Sequence, residues 1–444
     1  MNPKNKFINW PNKPQLIEKY FGDQTSSIVH WDPSAVKAYQ LEAVQNVLTH
    51  VFENNPYYRA KFEHNGMTPQ DIRKLEDLQY IDFTTKDRLK NDPDLILSVP
   101  RERIAQVFLS TGTTGGDVIY MMHTWEDLLI RDLAPDLDDI FPMQNTDIVL
   151  NALPYEMSSA GLSFHNVAQH SAGACVISAG KGGVYSSPYK TIKAMRDMKA
   201  NILISSPSYT MFLIDIAEEL GYEIGQDLKI EKIWLTGEGC SNSFRKRIED
   251  FWSAPAYFYY GSLECGPLGI ECRAQNGYHI AASHIYVEIV NPKTGKLLGP
   301  GETGEVVVTT LLKEGSPLIR YKTQDLAYIE DTPCECGAKL QRLFLRGRRG
   351  EQIRIDGKEY SPYYIEENLM KLHEVGNNYR FVVYDDHIVI ETEVKESFKN
   401  TPGLEETISS RVEYGCGIPN QVKIVDKISY DGGKAVRVIH KQSK

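Results

Sequence analysis

The feature that most restricts the fold is an alternation of short apolar runs with helix-patterned stretches, beginning near residue 105. Apolar runs fall at 105–109, 147–153, 174–177, 202–205 and 232–236, and helix-like stretches at 125–136, 187–198 and 208–220 lie between them. Repeated strand–helix alternation predicts parallel sheets covered by helices, with ligands at the carboxyl ends of the strands. Two glycine-rich turns follow such runs directly: Ser110-Thr111-Gly112-Thr113-Thr114-Gly115-Gly116 and Thr236-Gly237-Glu238-Gly239. Glycines let backbone N–H groups converge on an anion, and Ser/Thr hydroxyls add donors, so the first turn reads as a phosphate loop. It lacks the Lys-Ser/Thr ending of the Walker loop, which argues against a P-loop NTPase. A plain surface turn is the alternative reading.

The flanks obey different patterns. Leu41, Val44, Val47, Leu48, Val51 and Phe52 recur at helical spacing within 36–62, and Asn55-Pro56 interrupts them. Phe83-Thr84-Thr85-Lys86-Asp87 reads as an N-cap entering a short helix that stops before Pro93. Beyond residue 280 the chain becomes β-rich, with strands at 285–290 and 305–311 around the turn Asn291-Pro292-Lys293-Thr294-Gly295. Gly347-Arg348-Arg349-Gly350 is the best candidate hinge, and a small α+β domain follows it. With 444 residues, more than one core is expected, and the division falls at 1–347 and 348–444.

Charge and cysteines narrow the class. A net charge of -10 without a basic block argues against nucleic acid as the main partner. No apolar run reaches the ~18–20 residues of a membrane span, and MNPKNKFINWPNKPQ has no secretory core, so a cytoplasmic protein is expected. Seven cysteines in that setting suggest metal ligands or buried thiols. Cys334-Glu335-Cys336-Gly337 lets two thiolates converge, and Cys272 with His279 completes a tetrahedral Cys3His set for a structural zinc ion. Cys175, Cys240, Cys265 and Cys416 lack such spacing and are expected to be core or packing thiols.

Two further clusters bear on chemistry. In Tyr259-Tyr260-Gly261-Ser262-Leu263-Glu264, a ring can stack on a purine, a serine can bond a phosphate and a carboxylate can hold Mg2+. Asp325 can accept two hydrogen bonds from a ribose diol; the alternative is a loop aspartate paired with Arg320 or Lys322.

The order STGTTGG, TGEG, YGSLE, GETGEVVVTTLLKEGSPLIRYKTQDL, RGRRGEQIRIDGKEYSP and GGKAVRVIHK resembles the adenylate-forming acyl ligases, within them the phenylacetate–CoA ligase branch. The resemblance runs from about Ala38 to Lys441. It implies an α/β fold: a large domain of parallel-rich sheets with a β-rich subdomain, then a small hinged α+β domain. It implies ATP, Mg2+ and a small carboxylic acid as ligands, with CoA as acyl acceptor. Residues Ser110, Thr111, Gly112, Thr113, Thr114 and Gly115 would cradle the phosphates, Glu238, Gly239, Tyr259 and Tyr260 would line the adenine slot, and Gly261 would also belong to the ATP site. Ser262 and Glu264 would serve phosphates and Mg2+, Asp325 and Arg348 the ribose, and Lys434 the reacting carboxylate and α-phosphate. Thr113, Glu264 and Lys434 form the implied catalytic set. Tyr155, Phe164 and His165 fall where the family places part of the acyl pocket; Tyr155 and Phe164 read either as flanks of an aromatic ring or as core, and Glu156, Ser158 and His165 are more polar than phenylacetate needs. A hydroxylated or amino-substituted acid is one expectation. His284 reads either as a pocket residue or as a satisfied loop histidine.

Three places depart from the family pattern. Gly116-Asp117-Val118 replaces a lysine and proline after the loop, so Asp117 must point away or Lys181 or Arg349 must compensate. Gly350 stands at the hinge position and implies a looser pivot, and Asp356-Gly357-Lys358-Glu359 replaces a basic loop near CoA. Transfer to an amine or a carrier protein, or a non-catalytic member of the family, are therefore the alternatives. A homodimer is compatible with these residues but not read from them.

Overall fold

The computed structural model describes residues 15–21, 27–110, 118–132, 140–183, 185–428 and 435–441. The loop residues Thr111–Asp117 and Lys434 lie outside them. The chain divides into two compact units, Met1–Gly180 with Tyr257–Leu345, and Lys181–Ala256 with Arg346–Lys444.

In the first unit, helix Pro33–Asn54 buries Tyr39, Ala43, Val44, Val47, Leu48 and Val51, the stripe that its helical spacing predicts. Asn55 ends it and starts helix Pro56–His64, its side chain accepting from the Tyr58 N–H at 3.0 Å with Pro56 in the first turn. The amide of Asn55 also donates to the carbonyls of Leu95 and Leu97, so the kink anchors the next loop. Strands Ile148–Asn151 and Cys175–Ser178 pair in parallel, as alternation predicts, joined through helix Ser159–Asn166.

The strand before the phosphate loop breaks that expectation. Gln106–Leu109 pairs antiparallel with Tyr120–His123 in a separate two-stranded sheet, Leu109 opposite Tyr120. The connection is too short for a parallel crossover, which takes about a dozen residues or more. The strands on either side of residues 111–117 are thus an antiparallel pair, not the parallel strands that alternation predicts.

The β-rich part of this unit runs in the order Ile285–Val290, Gly304–Thr310, Tyr321–Glu330, Arg342–Arg348, Tyr278–Ile280, Gly266–Ile270, Ala256–Ser262. Its core is aliphatic: Ile285, Ile289, Val306, Val307 and Val308 are buried. Asp325 lies inside a strand, not a loop, and Tyr259 to Ser262 belong to a strand themselves.

The second unit carries the parallel pair Ile202–Ser205 and Lys232–Leu235 with helices Pro188–Asp197, Pro207–Glu219 and Asn242–Trp252. Its C-terminal part has a four-stranded sheet in the order Asn420–Ile424, Ile388–Val394, Val375–Val383, Val438–His440, covered by helices Pro362–Met370 and Leu404–Cys416. The expected loop at 356–359 is a hairpin: Ile353–Ile355 pairs with Lys358–Tyr360, and Asp356 and Gly357 take φ of 48° and 75° at its turn. Asp-Gly at a two-residue turn is the sequence signal for it. No helix among the described residues is long and apolar enough to cross a membrane.

Candidate functional site

In the first unit, one sheet carries two carboxylates, Asp325 within a strand and Glu264 in the turn between two of its strands. Strand Ala256–Ser262 pairs with Gly266–Ile270, and the register shifts between Tyr260 and Gly261. The bulge re-aims the side chains that follow it. Gly261 is required there, because a Cβ would come within 2.5 Å of the Tyr259 ring and 2.9 Å of the Gly266 carbonyl oxygen. The Tyr260 hydroxyl donates to Asp325 Oδ2 at 2.6 Å. Burial, then the charge of Asp325, pushes the Tyr260 phenol well above its ordinary value, so it remains a donor. Gln324, beside Asp325, holds a φ of 69°, a strained position that turns the aspartate at its strand. Arg320 is taken by Glu288 at 2.9 Å and Lys322 by Glu305 at 3.3 Å, so neither is the partner of Asp325.

Glu264 is buried, and its Oε1 meets the Tyr321 hydroxyl at 3.3 Å and the Lys86 ammonium at 3.7 Å. Lys313 donates to the Glu264 carbonyl at 2.7 Å. Sequence reasoning missed these three. Lys86 reads in the sequence as part of an N-cap segment entering a short helix, and Lys313 and Tyr321 lie within a family motif, but nothing local gives any of them a site role. Ser262 Oγ accepts from the Cys265 N–H at 3.0 Å, and Ser110 Oγ accepts from the Ile119 N–H at 3.0 Å, closing the hairpin neck.

The expected acyl-pocket residues come together. Phe164 meets Tyr259 edge-on at 4.8 Å, and the Tyr155 hydroxyl lies 3.2 Å from His165 Nδ1. His284 is buried, with Ser283 on Nδ1 and the Ile130 carbonyl on Nε2, and reads as a satisfied histidine.

In the second unit, Glu238 follows strand Lys232–Leu235 on a turn where Gly237 has a φ of 84°. It is held by Lys181 at 3.2 Å and by the Ser208 hydroxyl at 2.5 Å. Burial would raise its carboxyl, but Lys181, Ser208 and Arg437 outweigh burial and hold it below the usual range. A Cβ on Gly239 would meet nothing within 4 Å. Arg348 lies 3.8 Å from Glu351. Arg437, also unforeseen, has its guanidinium 4.2 Å from the Tyr379 ring centre and 4.8 Å from that of Phe244, and it donates to Ser208 at 3.2 Å.

Cys272, His279, Cys334 and Cys336 converge, their ligand atoms all within 4.8 Å of one another. Cys272 and Cys334 sulfurs are 3.6 Å apart and Cys336 Sγ is 3.4 Å from His279 Nε2. A tetrahedral site with metal–sulfur bonds of about 2.3 Å has thiolate edges of about 3.8 Å, so the set can hold a metal ion. The Ala274 and Ala338 N–H groups each donate to a cysteine sulfur at 3.4 Å, support suited to thiolates. Burial lowers His279 to about 4, leaving a neutral imidazole, and raises Cys272 to about 12. Cys265 is buried as expected, but Cys175 is exposed, because the start of its strand lies at the surface.

Residues 37–311 match the AMP-binding enzyme family and residues 357–442 the AMP-binding enzyme C-terminal domain. A phenylacetate-coenzyme A ligase of Escherichia coli (strain K12) is 30% identical, covering 91% of this chain and 94% of that protein. One of Aromatoleum evansii is 28% identical over 92% and 95% of the two chains. A solved 2-hydroxyisobutyryl-CoA ligase in the postadenylation state superposes with a TM-score of 0.86 at 21% identity, over 93% of this chain and 91% of that one. The expected α/β adenylate-forming fold is thus the fold of this protein, and the chain belongs to the AMP-binding enzyme family.

Proposed function

We propose that the protein activates a carboxylic acid, of aryl or aryl-acetic type, with ATP and passes the acyl group to CoA. In the first step a carboxylate oxygen bonds the α-phosphorus and pyrophosphate leaves. In the second, a thiol sulfur bonds the acyl carbon and AMP leaves. The observation that carries the reading is the pair of carboxylates held by one sheet and its turn, Glu264 against Lys86 and Tyr321, and Asp325 under Tyr260, in an AMP-binding enzyme. The phenylacetate-coenzyme A ligases among its relatives support both the acid class and the acceptor.

In this reading Asp325, aimed by Tyr260, accepts from the ribose hydroxyls. Glu264 would hold Mg2+, whose role is to neutralise the triphosphate and polarise phosphoryl oxygens. Ser110 to Gly115 would cradle the phosphates. Lys434 faces the problem that a carboxylate and a phosphate repel; a fixed ammonium opposing that repulsion contributes ~3–4 kcal/mol to the transition state. Placing Lys434 on a separate domain, 348–444, lets it withdraw so that the thiol can approach. Cys272, His279, Cys334 and Cys336 hold a structural zinc ion, since four protein ligands leave no open position. Seven free cysteines suit the reducing cytoplasm.

The test is ATP–pyrophosphate exchange over a panel of aryl and aryl-acetic acids, then acyl transfer on adding CoA. Acid-dependent exchange followed by CoA-dependent AMP release is expected. Absence of exchange with every acid overturns the reading.

A further inference from the structure

His165 and the two hydroxyls beside it form a polar subsite whose chemistry narrows the acid. Strands Ile148–Asn151 and Cys175–Ser178 are parallel, with Asn151 opposite Ser178 at their carboxyl ends, where open α/β sheets bind ligands. His165 lies in helix Ser159–Asn166, which follows the first of these strands. Its Nδ1 is 3.2 Å from the Tyr155 hydroxyl and 3.1 Å from the Ser178 hydroxyl. The Tyr155 ring stands edge-on to the imidazole, with centres 6.0 Å apart at 86°.

The arrangement is locked from below. The Gly161 N–H donates to the Pro154 carbonyl at 2.8 Å, and a Cβ on Gly161 would collide with that carbonyl and with the Tyr155 ring. Asn151 donates to the Gly161 carbonyl at 2.8 Å and accepts from the Leu153 N–H at 3.2 Å. The segment carrying Tyr155 is therefore pinned to the helix carrying His165, and Phe164 beside it packs on Tyr259.

Two hydroxyls occupy one ring nitrogen, and Nε2 makes no hydrogen bond to any described residue. If Nδ1 accepts, Nε2 carries the proton and donates; if Nδ1 donates, Nε2 accepts. A hydroxyl can answer either state, because it both donates and accepts, whereas an ammonium or a carbonyl answers only one.

We propose that the acid bears a hydroxyl that hydrogen-bonds His165 Nε2, making His165 a specificity-determining residue. This rests on the adenylation reading for its consequence but not for its binding. A site that bonds a hydroxyl disfavours the analogue without it, because the half-buried His165 then loses that partner.

The experiment compares matched acids: phenylacetate with 3- and 4-hydroxyphenylacetate, and isobutyrate with 2-hydroxyisobutyrate, so that phenolic and aliphatic hydroxyls are separate arms. Pyrophosphate exchange gives kcat/KM for each pair, and calorimetry gives acid binding independently. In at least one arm the wild-type protein is expected to prefer the hydroxylated member by about tenfold or more. His165→Leu should erase that ratio and His165→Gln should restore part of it, with circular dichroism confirming that both variants fold. Equal kcat/KM or equal binding within every pair, or a ratio that survives His165→Leu, overturns the proposal while leaving adenylation intact. Preferential binding of hydroxylated acids without any exchange overturns adenylation and keeps the subsite. Neither binding nor exchange overturns both.

Discussion

Glu238 is the residue whose behaviour its neighbours decide most. Its carboxyl is buried, yet Lys181 at 3.2 Å and Ser208 keep it ionised. Lys181→Met removes the cation and leaves a buried charge without its partner, which should cost about 3 kcal/mol in urea unfolding at pH 7. The pH dependence has a definite sign. A carboxyl lowered in the folded state stabilises fully above its unfolded value of 4.5, and that stability is lost as pH falls through the lower folded value. In Lys181→Met, where burial is opposed by less, the folded value rises toward or past the unfolded one, so the acid-side loss should be smaller and complete at a higher pH than in the wild type. Unfolding midpoints from pH 3 to 7 for both proteins measure this, and superimposable profiles would contradict it.

At the scale of elements, the chain near 347–350 separates two glycines that look alike in sequence. Gly347 holds a φ of 102°, and a Cβ there would also press on Ser361 Oγ at 3.1 Å. Gly350 lies in the short turn Arg349–Glu351, has no such φ, and has open space where a Cβ would go. Gly347→Ala should therefore destabilise the fold by about 1 kcal/mol or more, whereas Gly350→Ala should be neutral or mildly stabilising. Thermal melts of the two variants distinguish them, and equal losses would refute the assignment.

The metal cluster joins elements in the same way. Cys272 and His279 flank one turn, while Cys334 and Cys336 come from another 62 residues later. Cys336→Ser should lower the bound zinc measured by plasma mass spectrometry from near one per chain to well below half. It should also lower the melting temperature by several degrees, as should exhaustive chelation of the wild type. Full zinc retention in the variant would argue that the fourth ligand lies elsewhere.

Within the second unit, Arg437 ties two distant stretches of the chain. Tyr379 and Glu366 come from the C-terminal part, and Phe244 and Ser208 from 181–256. Tyr379 in turn donates to Glu366, which accepts from the Ser241 N–H at 2.5 Å. Arg437→Ala should free these stretches from one another and speed limited proteolysis within 346–444. Arg437→Lys should rescue little, since an ammonium lacks the planar fork that stacks between two rings. An unchanged digestion rate in both would remove the role.

What the sequence determined by itself was local or periodic. The helical stripe from Leu41 to Val51, the Asn55-Pro56 break, the strand runs at 202–205 and 232–236, and the order of the motifs all depend on neighbours a few residues apart. So does Cys-x-Cys-Gly, which brings two ligands to one point without help from the fold. Pairing was decided elsewhere. Whether Gln106–Leu109 joins a parallel sheet or a hairpin depends on where Tyr120–His123 returns, and both outcomes use the same apolar run. Likewise Asp325 could have met Arg320 or Lys322 beside it, but strand alternation and a residue at positive φ send it to Tyr260, 65 residues away. Lys86, Tyr321 and Arg437 became visible only because burial makes an unpaired charge costly, so each carboxylate takes whichever partner the tertiary structure delivers.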